Sequence, residues 1–318
     1  MQFTTQITIP ESSHKIGYHS AVVSLGSCFA ENMADQFGYY KFSNTVNPFG
    51  IIFQPLALAK IISFAVTGKQ FTASDVFMHH DVWHCFDAHS ALSNSNKAQL
   101  LDNLNDAAQQ LRQALSGASH LIVTLGTSWI YRHSDTNEAV ANCHKLPAKS
   151  FRKELLSVDA IAESLQEIIA GARFLNPDCH IILTVSPVRH IKDGFPENQW
   201  SKSHLIAAVH TVLNGLTDKE SASYFPSYEI MMDELRDYRF YAEDMLHPSQ
   251  TAVDYIWERF KTAYVDQKAY AVMDKVDRIQ KGLAHRPFNP ETAQHQAFVA
   301  QLQNEITQLK SEFPHIRF

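Results

Sequence analysis

Ala21-Val22-Val23-Ser24-Leu25-Gly26-Ser27-Cys28-Phe29-Ala30-Glu31-Asn32-Met33-Ala34 sets the pattern that the rest of the chain repeats. A β-branched apolar run ends at a glycine, two small polar residues follow, and Phe29, Met33 and Phe37 then recur at helical spacing. The stretch reads as strand, tight turn, helix. It places Ser27 and Cys28 at the carboxyl end of a strand and the amino end of a helix, where unpaired backbone N–H groups stabilise a thiolate or an oxyanion. Both residues are candidate nucleophiles.

Further along, Ser119-His120-Leu121-Ile122-Val123-Thr124-Leu125-Gly126-Thr127-Ser128 and His180-Ile181-Ile182-Leu183-Thr184-Val185-Ser186-Pro187-Val188-Arg189-His190 are again apolar runs that end in small or polar residues. Tyr224 to Ile230 reads as a last, short strand. Between these runs the apolar spacing predicts helices over 31–40, 54–66, 98–116, 158–175 and 203–216, with Ser201 a good cap for the last. Strands alternating with helices imply a parallel sheet with crossover helices. Ligands in such folds bind outside the carboxyl ends of the strands, so Ser186, Arg189 and His190 are expected on the same face as Ser27 and Cys28. Arg189 suits a carboxylate or phosphate there, or equally a structural ion pair.

The second motif is Asp244-x-x-His247-Pro248, ahead of an apolar-faced helix over 251–264. A histidine held in a loop just before a helix is available to a nucleophile on another loop. An acidic residue three positions earlier can orient its ring and stabilise the imidazolium. The pair reads as a general base and its orienter.

The 318 residues, 45% hydrophobic and 19% charged, hold one large α/β domain or two modest ones with a substantial core. A formal charge of −6 offers no broad basic field for a phosphate backbone, so no nucleic-acid partner is expected. No run approaches the ~18 apolar residues of a membrane span, so no membrane partner is expected either. Met1 to Pro10 lacks the basic start and apolar core of a secretory signal, which points to the cytoplasm. Cys28, Cys85, Cys143 and Cys179 are widely spaced, without a CxxC pair, and suggest neither disulfides nor a cysteine zinc site. Cys179 reads as a small buried hydrophobe.

Two stretches read as insertions. The one near 68–95 is rich in aromatics and histidines, and its partial alternation suggests a hairpin at the sheet rim. Its histidine spacing fits no standard metal motif, so no metal is expected, and Trp83, Asp87 and His89 are weighed as substrate contacts against ordinary packing. The other, 131–150, carries Asn142-Cys143-His144-Lys145-Leu146-Pro147, a dense set of donors. Residues 265–318 read as a helical C-terminal extension beyond a domain spanning 1–264, with a helix over 292–312 offering a face to the main domain or to a partner subunit.

Gly26-Ser27-Cys28-Phe29-Ala30 together with Asp244-x-x-His247-Pro248 resembles the GSCFA family, a bacterial group named after the first motif and placed with the SGNH/GDSL hydrolase-like proteins. The resemblance covers most of 22–260. It implies a three-layer SGNH-like domain with a mostly parallel central sheet, His247 as base and Asp244 as its partner. An ungapped match to Gly-Asp-Ser-Leu puts Cys28 on the catalytic serine; a one-residue change in the turn returns the role to Ser27. Gly50, in Asn47-Pro48-Phe49-Gly50, resembles the glycine whose N–H holds the oxyanion. Gly-x-Asn-Asp in that superfamily corresponds to Gly126-Thr127-Ser128-Trp129, so Ser128 replaces the asparagine donor; Thr127, Ser128, Asn47 or Asn142 is the expected substitute, and His144 gains a site role from the same resemblance.

The function implied is an acyl hydrolase or O-acyltransferase acting through an acyl-enzyme on an ester of a carbohydrate or small molecule, with an acyl-CoA donor in the transferase case and no cofactor. Two alternatives stand beside it: a thiol-dependent enzyme using Cys28 on a thioester, and a non-catalytic binding module of the same fold.

Overall fold

The computed structural model describes residues 5–318; the first four residues of the N-terminal stretch read above lie outside them. β1 (Ala21–Gly26) leads directly into α1 (Cys28–Tyr39), followed by β2 (Ser43–Val46) and α2 (Pro55–Thr67). A short hairpin, β3 (Phe77–His79) and β4 (Val82–His84), precedes α3 (Lys97–Gly117) and β5 (His120–Leu125). Next come β6 (Trp129–His133), β7 (Ala139–Val140) and β8 (Phe151–Leu155), then α4 (Val158–Leu175), β9 (His180–Val185), α5 (Phe195–Gly215) and β10 (Ala222–Phe225). The chain closes with the short α6 (Ser227–Glu229), which runs into a π-helical turn over Ile230–Leu235, and with α7 (Gln250–Tyr264), α8 (Gln267–Ala284) and α9 (Ala293–Glu312).

The central sheet has the order β10-β9-β5-β1-β2, every neighbouring pair parallel. The mostly parallel sheet flanked by helices is thus the observed architecture. Its three inner strands, β9, β5 and β1, are mostly apolar on both faces because helices cover both. Val23, Leu25, Leu121, Val123, Ile181 and Leu183 face one apolar cluster, built with α2 to α5. Val22, Ile122 and Ile182 face the other, with Phe29, Phe37, Trp257 and Phe260 from α1 and α7. Chain order reverses where β1 lies between β2 and β5, and a reversal of this kind opens a crevice at the carboxyl ends of the strands. Gly26 and Gly126 stand on either side of it.

The structure differs from the sequence reading at 131–150, at the start of α5 and beyond Phe225, where α6 replaces the end of the expected strand. Strands β6 and β8 pair antiparallel over Trp129–Leu155 to His133–Phe151, with β7 on the other edge of β6, so the excursion around 131–150 is a small sheet. Helix α5 starts at Phe195, eight residues before the expected 203, because Pro196 sits in its first turn, where the ring's fixed φ favours a helix. Ser201 is consequently a buried mid-helix residue and no cap. In the C-terminal stretch, Met273, Val276 and Ile279 of α8 and Leu302, Ile306 and Leu309 of α9 are buried in the same apolar cluster as Phe37 and Trp257. Cys179 is fully buried. Among the described residues no helix is long and apolar enough to cross a membrane.

Candidate active site

The turn after β1 is held by its neighbours on both sides. Gly26 has φ +140°, and a Cβ there would lie 2.2 Å from the Thr124 carbonyl oxygen, so only glycine fits. The Gly26 N–H donates to Asn47 Oδ1 at 2.9 Å, and the Ser27 N–H donates to the Thr124 carbonyl at 3.2 Å. Ser27 caps α1: its Oγ accepts from the Phe29 N–H at 3.3 Å, and the residue is 1% exposed. Cys28, the first helical residue, is half-buried. The N–H groups of Cys28 and Phe29 favour its thiolate, as does the charge of Lys202. Burial, and after it Glu31, outweigh them, and the thiol pKa is raised from its ordinary value. The lowered pKa that a helix amino terminus alone would produce is not what this environment gives.

The Asp244–His247 loop lies between the π-helical turn and α7. Asp244 Oδ2 accepts from His247 Nδ1 at 2.6 Å, while its Oδ1 accepts from the backbone N–H groups of Leu246 and His247 at 2.9 and 3.0 Å. Those two backbone bonds, His247 first, and then the ring hold the carboxyl down to about 2. The loop is tied to the end of β9, since the Arg189 N–H donates to the Leu246 carbonyl at 3.1 Å. Arg189 has no carboxylate partner among the described residues. Its Nε donates to Tyr241 Oη at 3.0 Å, and its guanidinium lies 4.0 Å from the Tyr241 ring centre and 5.2 Å from that of Tyr238. The side chain braces the histidine loop.

Lys202 of α5 runs beneath this face and is 0% exposed. Its Nζ donates to the Gly126 and Ser186 carbonyls, both at 2.7 Å, joining the ends of β5 and β9. Burial brings its pKa down to about 7, against a smaller upward pull from Cys28. His190 lies close enough to Lys202 and His247 to feel both charges; with burial as the main cause, its pKa falls to about 3. Cys28, Lys202, His190 and His247 therefore occupy one electrostatic neighbourhood, drawn from β1–α1, α5, the end of β9 and the last loop. Among the described residues no hydrogen bond joins His247 to Ser27 or Cys28.

The expected oxyanion and substrate groups are mostly bound up in structure. The Gly50 N–H donates to the Asn47 carbonyl at 2.7 Å and closes a turn; the residue's φ of +74° and the His89 Cβ, 2.4 Å from where a Cβ would stand, account for glycine there. The Asn47 amide bridges Gly26 and Glu31 Oε1. Thr127 Oγ1 shares a 2.9 Å bond with Ser201 Oγ, and Ser128 Oγ donates to the Ser201 carbonyl at 3.1 Å. Asn142 Oδ1 accepts from the His144 N–H at 2.8 Å. His144 turns away, its Nε2 bonded to the Cys85 carbonyl at 2.7 Å and its ring beside His84. Asp87 pairs with Lys60 at 2.8 Å, and Trp83 lies under Lys97. His89 lines a cavity together with Phe53, Trp129 and Asn142. From the sequence Lys202 reads only as a candidate substrate contact; the structure spends its Nζ on the strand ends instead, a role that only the alignment of β5 and β9 reveals.

These observations define an α/β protein with two chemistry-bearing loops at the carboxyl edge of a parallel sheet. The chain belongs to the GSCFA family, whose model matches residues 21–260, and a model of the GSCFA C-terminal domain matches 276–318. No curated protein matches it. Among solved structures it is similar to a carbohydrate esterase family 3 protein from Talaromyces cellulolyticus, at 10% identity and a TM-score of 0.28, over 51% of this chain and 65% of that one. A second is an acetyl esterase mutant with an acetate ion, at 10% identity and a TM-score of 0.28, over 52% of this chain and 66% of that one. The chain thus spans just under two thirds of each.

Proposed function

We propose that this protein is an acyl hydrolase or O-acyltransferase working through an acyl-enzyme on Cys28, with His247 as general base and Asp244 as its orienter. The observation that carries the reading is the two-point grip of Asp244 on His247, through the ring and the backbone N–H. That grip leaves Nδ1 as the protonated nitrogen and Nε2 as the basic one. A thiol held above its ordinary pKa rests as S–H, so it needs such a base to become a nucleophile. Cys28 is favoured over Ser27 because Ser27 is buried and spends its oxygen on the helix cap.

In the reaction, Cys28 Sγ attacks the ester carbonyl while His247 Nε2 takes the thiol proton. The resulting oxyanion lies near the Cys28 N–H at the amino end of α1. Collapse expels the alcohol, which receives the proton from His247. Water, or an acceptor hydroxyl in the transferase case, then attacks the thioester with the same histidine as base; the C–S bond breaks and the Cys28 thiolate takes the proton back from His247. The substrate would be an ester of a carbohydrate or small molecule, or an acyl-CoA as donor.

Intact-protein mass measured after incubation with activated acyl esters and acyl-CoA thioesters tests the scheme. An acyl adduct is expected on wild type and Ser27→Ala, none on Cys28→Ala, and slow formation on His247→Ala. An adduct lost only in Ser27→Ala would move the nucleophile to Ser27. Absence of both adduct and turnover across the panel would leave a binding module of the same fold.

A further inference from the structure

The Arg189 guanidinium, at the carboxyl end of β9, is held on one side only. Its Nε donates to Tyr241 Oη at 3.0 Å, which fixes its rotation, and its plane lies 4.0 Å from the Tyr241 ring centre, which fixes its height. Tyr241 is buried and its own hydroxyl donates to Met232 Sδ at 3.4 Å, so it has nothing further to give. The two Nη groups meet no carboxylate and no carbonyl among the described residues, and they are open to solvent. The hydroxyl of Tyr238, a residue 59% exposed, faces them, and a hydroxyl that accepts from an arginine keeps its own proton to donate. Bracing the histidine loop needs only Nε and the ring face. The two Nη groups and their charge are left over. They are built on the loop that carries His247: the Arg189 N–H donates to the Leu246 carbonyl at 3.1 Å, the Ala242 N–H donates to the His247 carbonyl at 2.8 Å, and Tyr241 bridges to Pro248.

We infer that Arg189 and Tyr238 form a subsite for a carboxylate carried by the substrate, with Nη1 and Nη2 taking its two oxygens and the Tyr238 hydroxyl adding a further bond. With Nε spent, the guanidinium presents its end, two N–H groups side by side that match the two oxygens of one carboxyl. Stacking on tyrosine holds that fork in place before the ligand arrives. Charge favours a carboxylate over a phosphate monoester, since one open cation matches a monoanion. Arg239 pairs with Asp237 at 3.6 Å, and Lys202 is buried on two carbonyls, so neither adds a second open charge. In an acyl transfer the carboxylate belongs either to the acyl part or to the alcohol part of the ester. That assignment rests on the acyl-transfer reading; the subsite itself does not.

Two matched ester pairs test it on the full chain. The acyl arm compares the mono-4-nitrophenyl ester of adipic acid with 4-nitrophenyl methyl adipate; the alcohol arm compares 3-acetoxybenzoate with its methyl ester. In one arm wild type is expected to favour the carboxylate by about tenfold or more in kcat/KM, the scale of one charge-assisted hydrogen bond, and mostly through KM. The preference should vanish in Arg189→Gln and shrink in Tyr238→Phe, whose exposed ring is kept and which serves if the arginine variant misfolds. A general loss of rate with the preference unchanged would leave Arg189 a brace and overturn the subsite, as would equal rates within both pairs. Saturation-transfer NMR with adipate, 3-hydroxybenzoate and inorganic phosphate reads binding without chemistry. A carboxylate bound by wild type and lost in Arg189→Gln, with no ester turned over, would keep the subsite and sink the acyl-enzyme. Phosphate bound in preference, or no carboxylate bound at all, would overturn the subsite, while turnover of the neutral esters would still keep the acyl-enzyme.

Discussion

Lys202 Nζ and the Gly126 carbonyl, 2.7 Å apart in the buried interior, join α5 to the end of β5 beside the turn after β1. The same nitrogen holds the Ser186 carbonyl at the end of β9. One side chain therefore sets the spacing of two strand ends and places a titratable nitrogen near Cys28 and His190.

This burial makes stability depend on pH. Lys202 titrates at about 7 in the folded protein against 10.5 ordinarily, so between those values the unfolded chain binds a proton that the folded one does not. Stability from this group rises with pH across that window, by up to about 1.4 kcal/mol per pH unit, and is flat below it, where both states are protonated. Urea unfolding of wild type and Lys202→Met at pH 7, 8 and 9 should show the slope in wild type and a flatter one in the variant. Equal slopes would mean the lysine keeps its ordinary pKa.

The thiol at position 28 should react slowly with iodoacetamide at pH 7 and faster as pH climbs past the ordinary thiol value, because burial and Glu31 raise its pKa. Glu31→Gln removes an opposing charge and should speed alkylation; Lys202→Met removes a helpful one and should slow it. Peptide mapping separates this site from Cys143, whose thiol burial pushes up to about 11. Rapid modification of Cys28 at pH 7 in wild type would contradict the raised pKa.

The sheet was legible because β1, β5 and β9 are apolar runs that end in glycine or serine, a pattern that two covered faces impose. The Asp244–His247 pair was legible because its partners are three residues apart and bond within one loop. What the sequence hid depends on contacts across long separations. Ser128 and Thr127 meet Ser201 more than seventy positions away. Gln54 and His190 look ordinary in the chain, since an unpaired polar atom is visible only once the walls around it are built. Ser201 was misplaced by a helix start that Pro196 moved forward.

Asp244→Asn should slow acylation about 10⁴-fold, the scale of replacing an orienting aspartate by asparagine so that the ring takes the wrong tautomer, without unfolding the protein. With its carboxyl held at about 2, Asp244 is ionised at all ordinary assay pH values, so any acid limb of the rate above pH 4 belongs to another group. Its own contribution to stability is present above the unfolded value of 3.8 and fades as pH falls through about 2. Single-turnover acylation of wild type and variant from pH 4 to 9 checks this; an Asn variant with wild-type rates would remove Asp244 from the reaction.

Ser201→Ala should destabilise the fold while disordering the loop after β5. Ser201 Oγ accepts from the Ser128 N–H at 2.8 Å and bonds Thr127 Oγ1 at 2.9 Å, all buried. Alanine suits the middle of α5 better than serine does, so helix propensity works slightly in the variant's favour. The loss must then come from the stranded Ser128 N–H and Thr127 hydroxyl, at about 1–3 kcal/mol for a buried group left unpaired. Because Gly126 immediately precedes these residues and accepts from Lys202, the loosened loop should also weaken that lysine bond and lower acylation. Urea denaturation and acylation rates measured together decide it: a stability loss with unchanged rate would confine Ser201 to the fold, and neither change would show that Ser128 and Thr127 find other partners.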